Sequence, residues 1–351
     1  MTRRLFERLL LRPRDLPASR EDFEVIGAFN PGAVRLGDEV ILLVRVAERP
    51  REQRPGWTPL PRWDAEQGLT IDWLPDEDIE PLDPRVVRLK LNGQVRLTFL
   101  SHLRVVRCGD GRRVESIGNT CFGPESECEE FGIEDPRITM IGDRIYFTYV
   151  AVSRHGAATA FASTRDFKTF ERHGIIFCPE NKDVVLFPEA IGGEYAALHR
   201  PNGATPFTIP EMWLARSPDL RHWGVHDPLE QGSAEWETGR CGAGTPPVKT
   251  AAGWLEIYHG NRRPRRPGEV GVYSAGAMLL DLENPAHVLR RSREPILVPT
   301  ADFEQQGFVG GVVFPTGLIE TGETLLMYYG ASDSFTAVVE LDRSEVMKTL
   351  S

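Results

Sequence analysis

The chain has 351 residues, 41% of them hydrophobic, with a formal net charge of −10 and a pI near 5.4. That length supports a large core and allows one to three domains, and the acidic balance argues against a general nucleic-acid or membrane-surface binder. The five cysteines form no Cys-x-x-Cys pair, which leaves a zinc ribbon or thioredoxin-type motif unsupported and favours a reducing, cytoplasmic setting.

The N-terminal Met1–Arg12 begins like a secretory leader, but Glu7 and Arg8 interrupt its apolar run and Pro13 follows it. It is therefore not read as a leader. Arg4–Leu11 is expected to be a short amphipathic helix. No run of about 18 apolar residues occurs, so no membrane span is expected.

From Ala33 onward one pattern recurs: a short apolar run, a Gly-containing turn, and a second apolar run ending in polar residues. It appears at Ala33–Arg45, Val86–Leu100, Ile138–Val150, Glu189–Arg200, Pro247–Gly260 and Leu318–Gly330. Such segments read as β-hairpins. Their spacing of roughly 50 to 70 residues is that of a propeller blade with its loops. Trp57–Asp83, rich in proline and acids, reads as a loop with one short strand. A second repeat relates Ala162–Phe170 to Ala215–Trp223. Each has an Asp, an apolar residue and then an aromatic, as in an outer-strand turn with the aromatic packed between blades. Arg262–Pro267 reads as a basic surface loop, and Arg343–Leu350 as a C-terminal helix. The 27 prolines and 33 glycines suit a loop-rich all-β chain better than a doubly wound α/β fold. No Gly-rich phosphate loop follows a strand. No linker divides the chain, so residues 1–351 are expected to form a single β-propeller domain with short terminal extensions.

The chemistry centres on Phe131–Thr139, where Glu134-Asp135 precedes Pro136-Arg137. Proline fixes its own φ and is expected to hold Asp135 extended, presenting a carboxylate stiffly at the mouth of a strand. Lys182, Arg200 and Lys249 lie downstream in separate strand-end motifs. One placed acid with several cations suggests acid-assisted chemistry on an anionic co-substrate, of which phosphate is the simplest. Other strand ends carry Asn30, Arg45, His102, Tyr258, His259 and Asp333. In a propeller such residues would converge on the central channel. The histidines lack metal-ligand spacing, so no metal site is expected. A Gly-x-Ser-x-Gly nucleophile elbow is absent from the sequence.

Taken together these motifs resemble glycoside hydrolase family 130. The match runs from about Asp22 to near the C-terminus. It includes Phe29-Asn-Pro-Gly-Ala33, Leu43-Val-Arg-Val-Ala-Glu-Arg49, Ser101-His-Leu-Arg104, Gly132-Ile-Glu-Asp-Pro-Arg-Ile-Thr139, Lys182-Asp-Val-Val-Leu-Phe-Pro-Glu189, Pro246-Pro-Val-Lys249, Ile257-Tyr-His-Gly260 and Tyr329-Gly-Ala-Ser-Asp333. The resemblance implies a five-bladed β-propeller and an inverting phosphorylase of β-mannosides. The expected substrate is β-1,4-mannosyl-glucose or a manno-oligosaccharide, and the expected product is α-mannose 1-phosphate. Asp135 would be the general acid, its proton passing through a mannosyl hydroxyl. Lys182, Arg200, Lys249, His259 and Tyr258 would bind phosphate. Asn30, Arg45, Glu134 and Asp333 would hold the sugar. Gly310-Gly311 stands where relatives often carry a larger polar residue, which bears on acceptor specificity. No cofactor beyond phosphate, no nucleic acid and no membrane partner are implied, and homo-oligomerisation is left open. An inverting β-mannosidase and a non-catalytic sugar-binding propeller are the rival readings.

Overall fold

A computed structural model describes residues 2–203, 207–230, 232, 234–263 and 270–351. The described chain is almost entirely β, with two short helices at Asp302–Gln305 and Arg343–Lys348. Most strands fall into five antiparallel sheets, each built on four strands. Sheet one comprises Phe23–Leu36, Glu39–Pro50, Leu100–Cys108 and Ser116–Phe122. Sheet two comprises Ile133–Ile141, Arg144–Ser153, Gly156–Thr164 and Phe170–Phe177. Sheet three comprises Asn181–Leu186, Tyr195–Pro201, Trp213–Ser217 and Gly224–Pro228. Sheet four comprises Arg240–Ala243, Gly253–Arg262, Val272–Leu280 and Val288–Arg291, with Val248–Thr250 also paired to its second strand. Sheet five comprises Val313–Thr321, Thr324–Ala331 and Phe335–Asp342, and the N-terminal Arg4–Leu11 completes it along Phe335–Asp342.

Arg4–Leu11 is thus an edge strand and not the expected helix. Its pairing with a strand from the far end of the chain outweighs a local helical period that only two turns could express. The C-terminal helix forms, with the Asp342 carboxylate accepting from the Glu345 amide at its start. Of the hairpin expected at Val86–Leu100, residues 86–97 belong to none of the five sheets, and only Leu100 enters sheet one. Val86–Leu89 and Val95–Leu97 join Ile79–Asp83 in a small separate sheet. The segment expected to be a loop with one strand holds a full hairpin, Trp57–Asp64 with Gly68–Pro75. The two Asp-apolar-aromatic repeats fall at the same place in sheets two and three, the turn from third to fourth strand. Phe167 and Leu220 are buried there, both at positive φ.

Each sheet packs its faces against its neighbours. One cluster joins Leu43, Leu103 and Val105 of sheet one to Phe147 and Tyr149 of sheet two. Another joins Leu255 and Ile257 of sheet four to Met327 and Val339 of sheet five. The first strands of sheets one, two, three and four lie against one another in chain order, and the first strand of sheet five lies against sheets one and four. Threonine hydroxyls tie first strands to neighbouring sheets. Thr316 donates to the Pro31 carbonyl at 2.8 Å, Thr139 to Leu186 at 3.2 Å and Thr148 to Val184 at 2.5 Å. Among the described residues no helix is long and apolar enough to cross a membrane.

Candidate active site

Three first strands carry the same irregularity. Pairing register shifts between Phe29 and Gly32 in sheet one, between Glu134 and Arg137 in sheet two, and between Lys182 and Val185 in sheet three. Within each shift a non-glycine residue has left-handed φ: Asn30 at 50°, Asp135 at 51° and Asp183 at 56°. Asn and Asp tolerate this region better than other side chains. A bulge breaks the ladder and re-aims a side chain. The result here is an amide and two carboxylates, turned out of three neighbouring strands toward one place. Asp135 is therefore left-handed, not extended as Pro136 alone would suggest. The side-chain partners described below hold it there. Asp333, in the turn after Ala331 of sheet five, has φ of 48°.

These residues line one cavity of about 240 Å³. Asp135 Oδ1 accepts from Asn30 Nδ2 at 2.8 Å and from Arg45 Nη1 at 2.9 Å. Arg45 reaches Glu134 Oε1 with Nη2 at 2.6 Å and Ser101 Oγ with Nε at 3.1 Å, and its guanidinium lies 4.6 Å from the Phe29 ring centre. Arg137 fixes the backbone: Nη1 donates to the Asp135 carbonyl at 2.8 Å and Nε to the Gly244 carbonyl of sheet four at 2.6 Å. Burial works to raise the Asp135 pKa, but Arg45, Arg137, the Asn30 bond and Lys182 outweigh it and hold the carboxyl below the usual carboxylate range.

Further cavity residues are cationic. Arg200 donates to Asp183 Oδ2 through Nε at 2.7 Å. Lys182 Nζ lies 3.7 Å from Glu134 Oε2, and Arg240 lines the same cavity. His259 is fully buried, its Nε2 3.4 Å from Asp183 Oδ2, and among the described residues neither ring nitrogen has a hydrogen-bond partner. Burial pushes its pKa down to about 3, so the imidazole is neutral at physiological pH. Burial drives Asp333 up to about 6, against Arg85 and Arg45 and with help from the Asp135 and Glu134 charges. Arg85 Nη1 stands 3.6 Å from Asp333 Oδ2. The remaining wall is apolar, formed by Phe29, Phe99 and Ala47 with Ile26, Leu97 and Phe308 packed on them. Among the described residues no group of three or more His, Cys, Asp or Glu could hold a metal.

Eight of the expected site residues therefore meet: Asn30, Arg45, Glu134, Asp135, Lys182, Arg200, His259 and Asp333. Two do not. Tyr258 precedes His259 on one strand, and neighbouring strand residues face opposite sides. Its ring lies in the core between sheets three and four, and its hydroxyl donates to Glu237 Oε2 at 3.0 Å. Lys249 is half-exposed on a short edge strand, ion-paired with Glu189 and outside the cavity. Asp183, Arg240, Tyr273 and Arg85 line the cavity and were not anticipated. Asp183 had a signal, because Lys182-Asp183 before an apolar run parallels Glu134-Asp135. Arg85 comes from the small separate sheet, and nothing in its sequence context marks it. Of the basic loop at Arg262–Pro267, residues 264–267 lie outside the described residues.

A family profile described as beta-1,4-mannooligosaccharide phosphorylase matches residues 81–351. The beta-1,2-mannobiose phosphorylase of Listeria innocua is 43% identical over 350 residues, covering 98% of this chain and 97% of that protein. A 1,2-beta-oligomannan phosphorylase of Thermoanaerobacter is 34% identical over 252 residues, 71% of this chain and 81% of that protein. The solved structure of the Listeria innocua enzyme with beta-1,2-mannobiose superposes with a TM-score of 0.90 at 42% identity, covering 97% of this chain and 96% of that one. With a profile match over most of its length and a relative this similar end to end, the chain belongs to glycoside hydrolase family 130.

Proposed function

We propose that this chain is an inverting phosphorylase that cleaves a terminal β-mannosyl unit with inorganic phosphate and releases α-mannose 1-phosphate. The observation that carries this reading is one cavity that holds the bulge-held Asp135 carboxylate together with the cations Arg200, Lys182 and Arg240, while the second bulge-held carboxylate, Asp183, is taken up by Arg200. An inverting hydrolase needs a second carboxylate to activate water. Phosphate arrives already nucleophilic and needs to be held and charge-compensated, which suits arginine and lysine. The other acids of the cavity stand against cations: Glu134 is bonded to Arg45, Asp183 is bonded to Arg200, and Asp333 lies 3.6 Å from Arg85.

In the proposed reaction a phosphate oxygen forms a bond to the anomeric carbon from the cationic side. The bond from that carbon to the leaving sugar's oxygen breaks on the other side. The Asp135 proton passes through a mannosyl hydroxyl to the leaving oxygen. Asp135 must be protonated to begin. Its position among Arg45, Arg137 and Lys182 favours the ionised form. A bound phosphate dianion offsets those cations, and a sugar displaces water from the carboxyl, so both substrates move its pKa upward. Asn30 and Arg45 hold the carboxyl in place, and neutral His259 offers a hydrogen bond on the phosphate side.

The linkage we assign is β-1,2, in place of the β-1,4-mannosyl-glucose or manno-oligosaccharide type that the family resemblance implied. The support is the Listeria innocua relative, which aligns across nearly the whole chain. The sheet order and the contacts among first strands support a single five-bladed propeller, with Arg4–Leu11 completing the last blade. All five cysteines are free, in keeping with a cytoplasmic enzyme. Incubating the protein with β-1,2- and β-1,4-mannobiose, with and without phosphate, tests the proposal. It predicts mannose 1-phosphate only with phosphate and faster from the β-1,2 sugar. Phosphate-independent release of mannose overturns it.

A further inference from the structure

We infer that a surface groove continuous with the cavity holds the third and later units of a longer β-mannoside chain, with the indole of Trp57 as its stacking platform. The inference rests on the phosphorylase reading and adds to it a preference for chain length. The groove meets the cavity at Ile26 and Phe308, which line both. Its volume, about 600 Å³ against about 240 Å³ for the cavity, leaves room for sugar units beyond those in the cavity.

Its position follows from the chemistry. In an inverting displacement the nucleophile and the leaving group lie on opposite sides of the anomeric carbon. The cations that would hold phosphate, Arg200 and Lys182, come from sheet three. Ile26 and Phe308 belong to the apolar wall built on Phe29 and Phe99. That wall lies against Arg45, the partner of Asp135, so the leaving chain is assigned to the acid's side, where Ile26 and Phe308 open into the groove.

The groove is built to take a sugar. Trp57 is 45% exposed, unusual for so large an apolar side chain. The hairpin that carries it is stiff: the Trp57 amide donates to the Arg54 carbonyl at 3.0 Å, Thr58 Oγ1 donates to Asp76 Oδ1 at 2.7 Å, and the Arg54 guanidinium lies 4.0 Å from the Trp73 ring centre. An exposed indole on a rigid support presents an apolar face to the C–H side of a pyranose at little entropic cost. Gln53 and Asp76 on the groove walls offer polar groups to ring hydroxyls. The Trp57 hairpin lies outside the residues that the family profile matches, 81–351, so most of the groove's lining, though not Phe308, comes from the segment before that match.

The test measures kcat/KM at saturating phosphate for the disaccharide, trisaccharide and tetrasaccharide of whichever linkage is cleaved, β-1,2 or β-1,4. The wild-type protein, Trp57→Ala and Trp57→Phe are compared. We expect the wild-type protein to favour the trisaccharide over the disaccharide by roughly 3- to 10-fold. Trp57→Ala should remove that preference and leave the disaccharide rate unchanged, and Trp57→Phe should restore most of it. Equal rates for both substrates in the wild-type protein overturn the groove. So does a Trp57→Ala loss of the same size on both substrates. The disaccharide arm tests the phosphorylase reading separately: if it shows no phosphate-dependent cleavage, that reading falls and the groove assignment falls with it.

Discussion

Arg200 points both its Nε and its Nη2 at Oδ2 of Asp183, each at 2.7 Å. Both side chains are buried, and Asp183 also stands 3.8 Å from Arg137 Nη2. The guanidinium that faces the phosphate side is thus oriented by a carboxylate that itself lies on a bulge. Burial works against the Asp183 charge, but Arg200, His259 and Arg137 outweigh it and hold the carboxyl well below the usual carboxylate range.

That pairing shapes how the cations should be tested. Arg200→Ala leaves Asp183 buried without its main partner, and breaking a buried pair costs roughly 3–5 kcal/mol. The variant should melt early whatever it does to phosphate. Lys182 is a cleaner probe, since its side chain is about one-third exposed and its only described ion pair is 3.7 Å long. Lys182→Ala should raise the phosphate KM by roughly 10- to 150-fold, the value of one charge-assisted contact. The melting temperature and the affinity for mannoside alone should hardly change. An unchanged phosphate KM in the folded variant would remove Lys182 from the clamp.

Lys249 supplies the matching control. It is half-exposed and paired with Glu189, so Lys249→Ala should change stability by less than about 1 kcal/mol. Steady-state kinetics should show the wild-type phosphate KM and kcat. A large rise in phosphate KM would return Lys249 to the site and imply that the short Val248–Thr250 strand moves on binding.

Asp135→Asn should lower kcat by roughly 100- to 10,000-fold, the usual loss on removing a general acid. The amide can still accept from Asn30 and Arg45, so sugar binding by calorimetry should persist. Glu134→Gln should be milder, because Glu134 Oε1 serves as a partner of Arg45. Near-wild-type turnover by Asp135→Asn on an unactivated mannoside would contradict the acid assignment.

Asp333 gives a pH-dependent prediction. Burial raises its pKa to about 6 in the folded protein, above an unfolded value of about 3.9. The folded state therefore binds more protons between those values, and stability falls as pH rises through about 4 to 6. Asp333→Asn removes this penalty. Thermal melts should show the variant more stable by roughly 1–3 kcal/mol above pH 7, with the gap closing near pH 4. A gap that does not vary with pH would contradict the buried-carboxylate account.

What could be read before folding was local and periodic. The Gly turns between apolar runs marked the main hairpins, and the Glu-Asp-Pro-Arg run marked Asp135. Other features depended on pairing partners that no local pattern reveals. Arg4–Leu11 has a helical period, yet it pairs with Phe335–Asp342 from the other end of the chain. The Val86–Leu100 hairpin looks like the others but joins a small separate sheet. Tyr258 and His259 are adjacent polar aromatics at a strand end, and only the choice of strand face puts one in the core and the other in the cavity. Asp183 was legible in principle. Asn30, Asp135 and Asp183 occupy equivalent bulges in three successive first strands, and aligning the hairpin entries on one another would have picked it out.

In the proposed reaction phosphate, and not water, attacks the mannosyl carbon. The direct measurement is proton and phosphorus NMR of β-1,2-mannobiose turnover at a series of phosphate concentrations. Cleavage should rise from zero with phosphate and saturate, and the first-formed product should be the α anomer of mannose 1-phosphate. Free mannose released at an equal rate without phosphate, or a first-formed β-phosphate, would contradict it.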